Sequence, residues 1–88
     1  VDKIKDALGI RVYPNPTDAV VTVQTNKGII QRIQVMDLLG RVLNETNIDN
    51  NKTDVSLKQW ASGQYLLQIK IAYQQKEYVL HYKIDKVH

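Results

Sequence analysis

His81 and His88 are the two imidazoles in the chain, and Asp85 lies between them. That trio falls short of the ligand sets that hold a metal, and two solvent-facing histidines are the expected reading. Ser56 and Ser62 lack the glycine-flanked elbow that activates a serine nucleophile, and turn or strand-edge hydrogen bonding accounts for both. Asp37, Glu45, Asp49 and Asp54 are candidates for an acid pair or a calcium site, yet no spacing matches a calcium loop. The four glycines form no phosphate-cradling cluster, and the absence of cysteine excludes disulfides and thiolate metal sites. No catalytic residue, cofactor or metal is therefore expected, and the chain reads as a non-enzyme. One chemistry remains: a row of exposed aromatic rings can stack on sugars. Tyr65, Tyr78 and Tyr82 fall in phase with Leu and Ile, so core packing is their expected role. Trp60 precedes the Ser62-Gly63 turn, where a large ring can close the end of a sandwich.

The elements that would position these residues are strands. Residues 19–25 put Ala19, Val21 and Val23 on one face; residues 29–37 do so with Ile29, Ile33 and Val35; residues 41–48 with Val42, Thr46 and Ile48. Residues 54–57 are short, with Val55 and Leu57 in phase. Residues 64–73 alternate Tyr65, Leu67, Ile69 and Ile71 against Gln64, Leu66, Gln68 and Lys70, and residues 76–84 alternate Tyr78, Leu80, Tyr82 and Ile84 against Val79, His81 and Lys83. Turn signals at Asn26-Lys27-Gly28, Leu39-Gly40, 47–51, Ser62-Gly63 and Gln74-Gln75 separate them. The expected architecture is all-β: a small antiparallel β-sandwich of about seven strands. Residues 1–9 carry a weak helical period through Ile4, Ala7 and Leu8, but so short a helix is marginal in water, and a linker ending at Gly9 is expected. The chain starts with Val1 and carries no secretory signal peptide, so it is expected to be a piece of a longer protein.

Net charge is +3, but the twelve basic residues are scattered from Lys3 to Lys86 among nine acids. No basic stripe suits a nucleic acid, and no apolar run approaches the ~18 residues of a membrane-spanning helix.

Three segments then read together: Tyr13-Pro14-Asn15-Pro16-Thr17; residues 33–42 with Asp37, Gly40 and Arg41; and residues 55–69 with Gly63 and Tyr65. In this order and spacing they resemble the type A C-terminal sorting domain of the type IX secretion system, over about residues 10–87. Trp60 stands where that family usually has Leu, and Met36 where it often has Tyr. The resemblance implies an immunoglobulin-like sandwich that ends a cargo protein, with residues 1–9 as the linker from the upstream cargo and residues 10–88 as the sorting domain. It implies passage through the periplasm, recognition by the type IX translocon, and removal by a sortase-like peptidase that leaves the cargo on the cell surface or outside the cell. The residues matching the family's motifs are Tyr13, Pro14, Asn15, Pro16, Thr17, Asp37, Gly40, Arg41, Gly63 and Tyr65, with Lys83, Ile84, Lys86 and Val87 as the basic, apolar end.

The two prolines are expected to run stiff and extended into the strand at Ala19 and, lacking N–H donors, to protect an edge from strand addition. Lys83 to His88 is expected to be dispensable for the sandwich and needed for export, with Lys83 and Lys86 either solvating the last strand or touching the translocon. The alternative function is a carbohydrate-binding or adhesive Ig-like module, and a third is a structural spacer. Exposed strands allow a weak dimer.

Overall fold

A computed structural model describes residues 2–88. A short helix, α1 (Asp2–Leu8), precedes seven strands: β1 (Arg11–Tyr13), β2 (Val20–Gln24), β3 (Ile29–Met36), β4 (Val42–Asn50), β5 (Lys52–Ser56), β6 (Gly63–Tyr73) and β7 (Lys76–Lys86). They form two sheets, β1-β2-β5 and β4-β3-β6-β7, and every strand pair in both is antiparallel. This is the sandwich expected from the alternation. With the strands lettered A, B, C, C′, E, F and G, the order is A-B-E against C′-C-F-G, an immunoglobulin-like arrangement.

The core lies between the sheets. Val21 and Val23 of β2 face Ile33 and Val35 of β3, Tyr65, Leu67, Ile69 and Ile71 of β6, and Leu80 and Ile84 of β7, all buried. The inward residues of β2, β6 and β7 are those the period of two selects. In β3 the phase breaks. Gln31 is an extra residue between the pairs Ile30↔Ile71 and Arg32↔Lys70, a bulge that turns Ile30 inward and leaves Ile29 exposed, against expectation. A second bulge, at Leu43 between Met36↔Val42 and Val35↔Asn44, breaks the phase of β4. Val42 is exposed, while Ile48 packs on the core.

Residues 2–8 are helical where a linker was expected; Val1 of that segment lies outside the described residues. The helix is held by tertiary contact, which local propensity cannot reveal. Leu8 is fully buried, and its carbonyl accepts the N–H groups of Asn26 and Lys27 and the hydroxyl of Thr25. Ile4 packs beside it, whereas Ala7 is exposed. Lys5 Nζ donates to the His81 carbonyl (3.1 Å) and lies 4.2 Å from the centre of the Tyr82 ring. The β6–β7 hairpin turns on Gln74 and Gln75, both with positive φ (51° and 64°), the geometry of a tight two-residue turn.

Candidate functional site

Tyr13-Pro14-Asn15-Pro16-Thr17 does not run extended into β2. It bends, with cis peptide bonds before both prolines, and passes from the edge of the three-stranded sheet to the edge of the other. There it lies along the last residues of β7. The Asn15 side chain donates to the Lys83 carbonyl and accepts the Asp85 N–H, both at 3.0 Å. Thr17 continues the contact through its main chain: its N–H donates to the Asp85 carbonyl (3.0 Å), and its carbonyl accepts the Val87 N–H (2.8 Å). An amide side chain thus supplies one donor and one acceptor in the place of a strand. The bend leaves Asn15, and not a proline, to meet the edge. Thr17 is buried; its hydroxyl donates to the Val20 carbonyl and accepts the Ala19 N–H, turning the chain into β2. Tyr13 is exposed and donates to Gln24 Oε1.

The β3–β4 connection is built on one carboxylate. Asp37 Oδ1 accepts the N–H groups of Leu39 and Arg41, each at 2.9 Å, and Oδ2 lies 2.6 Å from Arg41 Nε. Gly40 has a φ of 88°, which L-side chains rarely adopt. The Arg41 N–H is the main group holding the Asp37 carboxyl below its usual range; desolvation opposes it, and the Arg41 guanidinium and the Leu39 N–H add to the lowering. The tip presents Leu38 and Leu39 to solvent, Leu39 at 83% exposure.

β6 begins at Gly63, whose φ of 151° disfavours other residues. Tyr65 is buried with its hydroxyl donating back to the Ala61 carbonyl, a link similar to the tyrosine corner of immunoglobulin-type sandwiches. The Trp60 ring sits 6.1 Å from that of Tyr65 at 37° and caps the core. The Ala61 acceptor was missed in the sequence, since a carbonyl four residues upstream of a tyrosine leaves no compositional signal. Tyr78 and Tyr82 are half-buried on the inner face of β7, so the tyrosines form no exposed row for a sugar.

Lys83, Ile84, Lys86 and Val87 depart from a basic, solvated tail. Period two turns Ile84 and Lys86 inward and Lys83 and Val87 outward. Ile84 is fully buried opposite Tyr65, and Lys86, 7% exposed, pairs with Gly63 and donates its Nζ to the His88 carbonyl. Lys86 therefore does not solvate the strand, and residues 83–88 are part of the fold, not dispensable to it.

The register collects these segments. Met36, Leu66 and Lys83 lie in one cross-strand row. Beyond that row come the Asp37–Arg41 turn, then Gly63 at the start of β6, then the end of β7 with Asn15 and Thr17 against it. Apart from Tyr13, which pairs with Thr22 in the middle of β2 and reaches Gln24, the candidate residues occupy one end of the sandwich, about 10 Å across the three strands. Among the described residues, no three His, Cys, Asp or Glu side chains converge as metal ligands.

The family described as the secretion system C-terminal sorting domain matches residues 11–80, and the chain belongs to it. It is a C-terminal sorting signal of type IX secretion, from a family not known for catalysis, and it marks its cargo for export to the cell surface or the extracellular space. The match includes Tyr13 to Thr17, Asp37, Gly40, Arg41, Gly63 and Tyr65, while Lys83 to Val87 lie beyond it. Neither the curated proteins nor the solved structures compared with the chain gave a match. No described helix is long and apolar enough to cross a membrane.

Proposed function

We propose that the type IX translocon reads the end of the sandwich built from Tyr13–Thr17, Asp37–Arg41, Gly63–Tyr65 and Lys83–Val87. The observation that carries this reading is the convergence of the separated motif segments on one end, with Asn15 and Thr17 bonded to β7. The machinery meets a shape with Arg41, Lys83, Leu39 and Val87 at its surface. The chain from α1 onward acts as the sorting domain, with Leu8 in its core, and the cargo precedes it. The cargo reaches the periplasm first, and a sortase-like peptidase separates it from the domain at or after passage across the outer membrane.

A fusion tests this. Residues 1–88 are placed behind a periplasm-targeted fluorescent protein, in a host with a working type IX system and in its translocon-null derivative. Reporter outside the cell in the competent host alone, at a mass lacking the domain, is the expected result. Periplasmic reporter in both hosts, with the domain folded, overturns the proposal.

A further inference from the structure

The four-stranded sheet has two edges, and they are treated differently. β7 is covered by Asn15 and Thr17 near its end and by Lys5 at His81. β4 is bare. Val42–Asn50 holds no Lys, Arg or Pro, the residues that commonly blunt an edge, and among the described residues its main chain bonds to nothing beyond β3. Between β4 and β5, which belong to different sheets, lies a cleft of about 120 Å³. Ile33 and Val35 form its floor, and Ile48 and Val55 lie in its walls. Asn44, Thr46, Thr53, Asp54, Ser56 and Gln59 complete the lining, so the cleft has an aliphatic floor under a polar rim and can seat one aliphatic group on that floor.

Charge chooses the occupant. β4 and β5 carry Glu45, Asp49 and Asp54 against the single base Lys52, in a chain whose net charge is +3. None of the three acids is in an ion pair among the described residues; Glu45 and Asp54 accept only from neutral Gln34 and Thr22. A second copy pairing β4 to β4 would set these acids against each other. We infer that the β4 edge and its cleft take an extended segment of another protein, with alternating basic and apolar side chains, as an added strand. Main-chain hydrogen bonds to β4 hold it, one apolar side chain fills the cleft, and basic side chains meet Glu45 and Asp49. This surface is a different edge from the one Asn15 covers and does not depend on it.

Amide hydrogen exchange on the ¹⁵N-labelled chain provides the test. The probe is a capped peptide of about six alternating lysine and valine residues; the control replaces lysine by glutamate. The lysine peptide at millimolar concentration is expected to slow exchange of β4 amides by about tenfold or more, and the glutamate peptide to leave them unchanged. In Glu45→Lys/Asp49→Lys, both exposed positions, the preference should reverse while β6 exchange stays that of the wild type. If the variant loses β6 protection, the wild-type comparison of the two peptides decides alone. Unchanged β4 amides, equal effects of both peptides, or protection confined to β1, β5 or β7 would overturn the inference.

Discussion

Asn15 provides two of the four hydrogen bonds that fasten the Tyr13–Thr17 segment to β7. Asn15→Ala leaves the Lys83 carbonyl and the Asp85 N–H without their partner. The expected cost is about 1 kcal/mol in denaturant unfolding, with faster exchange of the Asp85 amide. That consequence was hidden in the sequence, because the partners lie 68 and 70 residues away. The Asp37–Gly40 turn was legible for the opposite reason: carboxylate, backbone donors and glycine fall within five residues. Asp37→Asn should destabilise the hairpin at neutral pH. Because the carboxyl titrates lower in the folded chain, its contribution is present above its unfolded pKa of about 3.9 and is lost as pH falls through the folded value. The stability difference between wild type and variant is therefore expected to be flat near neutrality and to shrink below about pH 4, read by urea unfolding across pH.

The strands carry a second set of consequences. Alternation made β2, β6 and β7 readable, since each keeps one phase over its length. β3 and β4 were readable as strands but not in register, because an extra residue changes the face without changing the composition. The helix α1 was hidden, as its stability comes from Leu8 in a core assembled by distant strands. Ile84→Ala is expected to cost roughly 2–5 kcal/mol, a large part of the stability of a small domain. Deletion of residues 83–88 should then abolish cooperative unfolding as followed by circular dichroism, so export defects from such a truncation would report folding. In the β6–β7 turn, replacing Gln74-Gln75 by Asn-Gly relieves two unfavourable positive φ angles and is expected to stabilise the domain by about 1 kcal/mol, read as a raised melting temperature.

At the scale of the molecule, the fold makes a rigid frame with two unlike ends. One carries the Asp37–Arg41 turn, the start of β6 and the joined Asn15–β7 unit; the other carries the β2–β3 and β6–β7 turns, with Lys27 and Lys76 exposed. Arg41 and Lys83 at the first end, like Lys27 and Lys76 at the second, are on the surface, so their charges can be reversed without disturbing the core. Composition alone could not separate the ends, as the charge is spread along the whole sequence. The register of β3, β6 and β7 separates them. The most direct measurement is export of the fluorescent fusion carrying Arg41→Glu/Lys83→Glu, beside the same fusion carrying Lys27→Glu/Lys76→Glu, after both domains are shown to unfold at the wild-type midpoint. Reversing charge at a docking surface typically costs a factor of ten or more in association, so export of the first variant is expected to fall by about tenfold while the second matches the wild type. Equal export of the two variants would contradict recognition through the Asn15–β7 end.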